Sequence, residues 1–207
     1  MSSELSKSRR ITGHLPASRA LVALGANLGE PLETLPRALE SLALLRGVRL
    51  IAASRAYRTE PFDTPTPQPD YWNAACELEV QLTSEELLSE LHRVEQEFGR
   101  DRDLEGHHGA RRLDLDLLAH GQRTVEGPGL RLPHPGLEER LFVLAPLCDL
   151  RPGFRLPSGA SVLNQADQLR GAGQALLEVA ELSAVTLFPR EPGAPRLPQA
   201  SQSIPVR

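Results

Sequence analysis

Residues 76–99 switch hydrophobic period within one stretch, and that switch limits the folds open to the chain. Cys76, Leu78, Val80 and Leu82 alternate with Glu77, Glu79 and Gln81. Alternate residues of a strand share a face, so this is the pattern of a half-exposed antiparallel strand. Thr83 and Glu86 then stand three apart, the spacing of a capping box at a helix start. Leu87, Leu88, Leu91, Val94 and Phe98 follow at helical spacing, and Gly99 ends the run. A strand that leads directly into an amphipathic helix buries both apolar faces only if the helix packs on a sheet.

The rest of the chain follows the same theme. ALVALGAN (20–27) reads as a buried strand. Pro31 suits a first helical turn, and Leu32, Leu35, Leu39 and Leu42 continue at helical spacing up to Gly47. VRLIAASRAYRT (48–59) reads as one strand. EPFDTPTPQPD (60–70) holds four prolines and is a loop. Beyond the second helix come a charged loop, RDRDLEGHHGAR, and a strand with two aspartates. Helices are expected at 137–149, 161–170 and 173–181, and a strand at 184–188. The order strand, helix, strand, strand, helix, strand is that of a ferredoxin-like α+β sandwich, an antiparallel sheet with helices on one face. Such a fold hosts RNA binders, metal chaperones and enzymes, so function has to come from the site.

Composition narrows the classes. The 207 residues suit one domain, read here as 19–189, with polar tails at 1–18 and 190–207. A net charge of −4 argues against a general nucleic-acid binder, and no string such as KGFGFVxF marks an RNA-binding sheet. No run approaches the ~20 apolar residues of a membrane helix. The N-terminal stretch has no apolar core of a secretory signal. Cys76 and Cys148 stand apart in apolar contexts, as expected of buried thiols in a reducing, cytoplasmic compartment.

The strand ARRLDLDLLA (110–119) carries the chemistry. Leu113, Leu115 and Leu117 point to one face, Asp114 and Asp116 to the other. Their Cβ atoms should lie roughly 6.5–7 Å apart, two strand rises. Carboxylates that close repel unless a positive charge joins them, and Mg²⁺ takes one or two carboxylates plus substrate phosphates. Arg100, Arg102, Arg111 and Arg112 lie just before the pair, and arginine matches phosphate bidentately. Acids, metal and arginines together suit phosphoryl transfer. Upstream, Tyr71 and Asn73 fall on one face of a strand in QPDYWNAA, in a chain only 4% aromatic. A ring and an amide suit a flat heteroaromatic substrate, with Phe142 available as a second ring.

With these stretches in place, the sequence resembles the 6-hydroxymethyl-7,8-dihydropterin pyrophosphokinase family. HHGARRLDLDLL (107–118) is similar to the family's signature. VALGANLG (22–29), YRTEPF (57–62), QPDYWNAA (68–75), VEQEFGR (94–100) and LPHPGLEERLFVLAPL (132–147) occur in the family's order. The resemblance implies transfer of pyrophosphate from ATP to the pterin alcohol, giving AMP and the pterin diphosphate in tetrahydrofolate biosynthesis. It implies two Mg²⁺ ions on Asp114 and Asp116. It implies that Arg100 and Arg111 act catalytically on the triphosphate from a mobile loop. His92, Glu95, Arg102, Leu117, His134 and Arg140 are expected to contact ATP. Tyr71 and Phe142 are expected to sandwich the pterin, with Asn73 reading its edge beside Thr59, Glu60, Pro61 and Phe62. The partners are then two small molecules, with neither nucleic acid nor membrane, and the protein a cytoplasmic monomer. Ala26, His108 and Gly129 stand where the family more often has serine, tryptophan and a basic residue.

Overall fold

The computed structural model describes residues 16–62, 64, 67–100 and 109–182. Its principal sheet runs β5 (Asp114–His120), β1 (Ser18–Ala26), β4 (Tyr71–Val80), β3 (Ala56–Thr59) and β8 (Glu178–Ala180), with β2 (Val48–Ala53) on the other half of β4. All these pairings are antiparallel. A separate hairpin, β6 (Val125–Gly127) and β7 (Leu130–Leu132), turns at Gly129, whose φ of +86° favours the glycine found there.

Two helices cover one face. α1 (Pro31–Ala43) starts on Pro31 as expected, but its buried stripe begins at Leu35, and Leu32 is 42% exposed. α2 (Ser84–Glu97) starts on the expected capping box. Thr83 Oγ1 accepts the Glu86 N–H at 3.1 Å, and Glu86 Oε2 accepts the Thr83 N–H at 2.8 Å. Thr83→Ala should therefore cost about 1 kcal/mol, read as a lower urea midpoint at unchanged slope. Leu87, Leu91 and Val94 pack with Val22, Leu24, Leu78 and Leu115 in the core beneath α1 and α2. His120 is fully buried between Ser84, 2.9 Å from Nδ1, and Ser18, 2.6 Å from Nε2. Burial, reinforced by Arg123, pushes its pKa down to about 4, so it joins β5 to the start of α2 as a neutral ring.

The second face departs from the sequence reading. It too is covered, by α3 (Leu141–Leu150) and α4 (Val162–Gly171). β4 is consequently buried from Asn73 to Leu78 rather than half-exposed. Glu77, expected in water, is 4% exposed and bound by Arg151, with Nε at 2.8 Å from Oε2. The expected strand at 48–59 is two strands. Ser54 breaks it, with its hydroxyl accepting the Ala75 N–H and donating to the Arg55 carbonyl. The helix expected at 137–149 begins only at Leu141, after a 3-10 turn at Pro135–Leu137. Residues 173–181 form no helix; Glu178–Ala180 pair with β3 instead. β1 opens at Ser18, inside the expected N-terminal tail, opposite Val80. The strand expected at 184–188 and the tail at 190–207 lie outside the described residues.

α3 is tied to β3 at its far end. Asp149 accepts hydrogen bonds from Tyr57 Oη at 2.8 Å and Arg55 Nη2 at 2.7 Å. This anchor fixes where the helix's first turn, carrying Phe142 and Val143, meets the sheet.

Candidate active site

Register builds the site. Gly25 on β1 lies opposite Asn73 on one side and Asp114 on the other. Ala23, two residues back, lies opposite Ala75 and Asp116. Directly paired residues share a face. Asp114, Asp116, Asn73 and Tyr71 therefore stand on one face of three adjacent strands, around a floor of glycine and alanine. A Cβ at Gly25 would sit 3.3 Å from Asn73 Oδ1 and 3.9 Å from Asp114 Cβ, so a side chain on this floor would press on the Asn73 amide. α3 covers the rest of this face and stops short here, leaving a cavity of about 270 Å³.

One side of the cavity is charged. Asp114 Oδ2 accepts Arg111 Nη1 at 2.6 Å, and Oδ1 accepts Arg100 Nη1. Arg100 also binds Glu95, which is fully buried and accepts the Leu115 N–H at 2.8 Å. Asp116 has its carboxyl pushed above the ordinary carboxylate range, first by burial and then by the Asp114 charge, against the pull of His134, Arg140 and Arg100. His134 is fixed by its ring, whose Nδ1 accepts the Gly136 N–H at 3.1 Å. Arg140 lies 5.8 Å from the centroid of the Phe142 ring.

The other side is aromatic. Tyr71, Phe62 and Phe142 line it, with the Phe62 and Phe142 rings 6.2 Å apart and tilted by 57°. Phe62 is 48% exposed, at the mouth of this side. Asn73 Nδ2 donates to Thr59 Oγ1 at 2.9 Å, which fixes the amide. The Tyr71 hydroxyl lies 3.0 Å from both Gln68 Oε1 and the Gly109 carbonyl. Burial raises its pKa, so it is a neutral donor.

Most of the residues expected in a site thus meet in one cavity: Arg100, Arg111, Asp114, Asp116, His134 and Arg140 on the charged side, Thr59, Glu60, Phe62, Tyr71, Asn73 and Phe142 on the other. His92, Pro61 and Leu117 do not line it, and Leu117 is in the core at 3% exposure. Glu95 sits behind Arg100 rather than on the cavity wall. Arg102 and His108 lie outside the described residues. Gly25, Ala23, Thr64 and Val143 line the cavity without having been singled out. The glycine could be read as floor only once β1 is known to lie between β4 and β5.

The chain that builds this cavity has known relatives. Residues 21–152 match the family described as 7,8-dihydro-6-hydroxymethylpterin-pyrophosphokinase, HPPK. The chain belongs to the HPPK family. A Pseudomonas aeruginosa protein named 2-amino-4-hydroxy-6-hydroxymethyldihydropteridine pyrophosphokinase is 43% identical over 141 residues, 68% of this chain and 85% of that one. A Pneumocystis carinii protein named folic acid synthesis protein fol1 is 34% identical over 149 residues, 72% of this chain but 20% of its own. Among solved structures, an HPPK-DHPS chain in complex with substrates superposes with a TM-score of 0.61 at 11% identity, covering 76% of this chain and 44% of that one. The structural likeness bears on the fold, an antiparallel sheet with helices, and this chain spans less than half of the HPPK-DHPS chain.

Proposed function

We propose that the chain transfers a pyrophosphoryl group from ATP to 6-hydroxymethyl-7,8-dihydropterin, releasing AMP and the pterin diphosphate as a step of folate biosynthesis. The observation that carries this reading is that a ring-lined slot and an arginine–aspartate cluster open into the same cavity. The slot suits a flat heterocycle and the cluster a polyphosphate. Family membership supports the same pair of substrates.

The pterin ring stacks between Tyr71 and Phe142. The Thr59 hydroxyl holds the Asn73 amide so that Oδ1 accepts from the ring's N–H edge. Asp114 and Asp116 suit a divalent cation, since two carboxylates on one strand face call for positive charge and Asp116 is costly to ionise alone. They would hold Mg²⁺, two ions in this reading, which neutralises phosphate charge and acidifies the alcohol. The alcohol oxygen forms a bond to the β-phosphorus as the α–β bridging bond breaks and AMP leaves. The alcohol proton passes to solvent or to a phosphate oxygen. Arg100 and Arg111 hold Asp114 in the ligand-free protein, and the triphosphate offers them a stronger set of acceptors. Arg140 adds positive charge on the same side of the cavity, and His134, whose Nδ1 accepts the Gly136 N–H, has its Nε2 to offer as a donor. Catalysis then comes from positioning and charge neutralisation.

The same reading makes the protein a cytoplasmic monomer. Cys76 and Cys148 are both free thiols, and no helix among the described residues is long and apolar enough to cross a membrane. The deciding experiment is turnover: ATP, Mg²⁺ and the pterin alcohol should yield AMP and pterin diphosphate in equal amounts. Tyr71→Ala and Phe142→Ala should each weaken pterin binding by about 1–3 kcal/mol, the scale of one lost stacking ring, with ATP affinity nearly unchanged. Equal losses for both ligands would show the rings to be core.

A further inference from the structure

A second cavity, of about 810 Å³, opens at the other end of α3 and shares no lining residue with the first. Its floor continues the register that builds the active site. Leu21 lies opposite Glu77 on β4 and Ala119 on β5, as Ala23 lies opposite Ala75 and Asp116. Two turns complete the walls. One, at 121–124, follows β5, and its Gly121 N–H donates to the Arg19 carbonyl at 2.6 Å. The other, at 150–157, leaves α3. There the Phe154 N–H donates to the Arg151 carbonyl at 2.8 Å, and the Phe154 carbonyl accepts the Val162 N–H at 3.0 Å. Backbone bonds thus hold both walls, and the volume falls within the range of roughly 300–1,000 Å³ common to small-molecule sites.

The lining joins apolar surface to positive charge. Leu21, Leu150, Phe154 and Leu156 supply the first. Arg19, Arg123, Arg151 and Arg155 supply the second, against a single carboxylate, Glu77. Glu77 occupies two of the four, with Arg151 Nε 2.8 Å from Oε2 and Arg19 Nη1 3.4 Å from Oε1. Parting a buried pair leaves an uncompensated charge, so these two arginines stay on Glu77. The other two have neutral acceptors. Arg123 Nη1 donates to the Ser84 hydroxyl at 3.4 Å and Arg155 Nη1 to the Gly159 carbonyl at 3.2 Å, and neither forms an ion pair among the described residues. A guanidinium is weakly hydrated and matches a carboxylate or sulfonate with two parallel donors. Arg123 and Arg155 therefore lack an anion in a cavity whose other surface suits hydrocarbon.

We propose that this cavity is a second ligand site, for a small amphiphilic organic anion. The apolar body lies on Leu21, Leu150, Phe154 and Leu156, and the anionic head is held by Arg123 and Arg155. An inorganic anion leaves the apolar surface uncovered, and a neutral apolar molecule leaves the two arginines unanswered. The pyrophosphoryl transfer proposed above uses none of these residues, so the site stands or falls apart from that reading.

The probe is 8-anilinonaphthalene-1-sulfonate, an aryl sulfonate that fluoresces in apolar surroundings. It is titrated into the full chain with Mg²⁺, a non-transferring ATP analogue and the pterin all in excess, so that the first cavity is filled. Fluorescence should saturate at one probe per chain. Decanoate should displace the probe, whereas decanol and inorganic phosphate at the same concentration should not. Arg123→Ala with Arg155→Ala should weaken probe binding by about tenfold or more, the scale of lost hydrogen bonds to a charged group, with turnover unchanged. Should that pair not fold, Arg155→Glu alone, on the exposed rim, should give a loss of the same order, and Arg155→Lys, which keeps the charge, a smaller one. A merely structural role for these arginines would lower the unfolding temperature and leave the probe's affinity alone. Displacement of the probe by the ATP analogue and pterin would place it in the first cavity and overturn the inference. Parental affinity in the arginine variants, or displacement by decanol as readily as by decanoate, would overturn it as well.

Discussion

Asp116→Asn should lose on the order of 10³ in transfer rate, the scale of a lost preorganised electrostatic contact, while the ligand-free protein becomes no less stable. The two effects separate because Asp116 serves the ligand and not the fold. Its carboxyl is pushed up by burial and by Asp114. A group whose folded pKa lies above its unfolded value stabilises the fold below the unfolded pKa and loses that contribution as pH rises through the folded one. At neutral pH the ionised carboxylate is therefore a net cost, and an amide of the same shape removes it. Asp114→Asn is different. Asp114 is bound by Arg100 and Arg111, so the loss leaves two cations facing each other as well as an incomplete metal site. The checks are single-turnover transfer at saturating Mg²⁺ and thermal unfolding without ligands from pH 5 to 8. Asp116→Asn at near-parental rate, or with an unfolding temperature several degrees lower, would remove Asp116 from the metal site.

The acids and rings were legible in the sequence because each depends on local spacing. Asp114 and Asp116 share a face for the same reason that Leu113, Leu115 and Leu117 share the other, whatever packs on them. The capping box of Thr83 and Glu86 is equally local. What could not be read depended on partners far along the chain. Glu77 alternates with leucine and valine as a solvent-facing residue would, yet Arg151, at the C-terminal end of α3, closes over it. The break at Ser54 is set by β4, whose two halves pair with different strands. Residues 178–180 pair as a strand because the edge of β3 accepts them, against the helical pattern of their own sequence. Asn27 ends a stretch read as a buried strand and for its family resemblance, with nothing to mark its own side chain. Its contacts appear once Gln68 and Arg111, 41 and 84 residues away, are seen to meet it.

Arg111→Ala should lower the rate of transfer from the bound complex by about 10²–10⁴, with a much smaller change in ATP affinity. An interaction made more strongly in the transition state than in the ground state appears in the rate, whereas uniform binding appears in affinity. Arg111 starts on Asp114, and its Nε is held by the Gly109 carbonyl. In the ground state the triphosphate competes with these acceptors, so little affinity is gained. As charge builds on the transferring group, the balance shifts towards phosphate. Arg111→Lys should not rescue the rate, because an ammonium cannot keep the Gly109 contact and reach an oxyanion with a second nitrogen. Arg100 should behave alike in kind but differ in degree. It is held by Glu95 as well as Asp114, so freeing it costs more. Glu95→Gln should loosen that hold and raise ATP affinity at the parental Arg100, a sign opposite to that of a lost nucleotide contact. Single-turnover transfer beside equilibrium binding of ATP to each variant separates these outcomes. Should the whole deficit of Arg111→Ala lie in ATP affinity, with transfer from the bound complex intact, Arg111 is an anchor for the nucleotide and the charge that develops during transfer is met elsewhere.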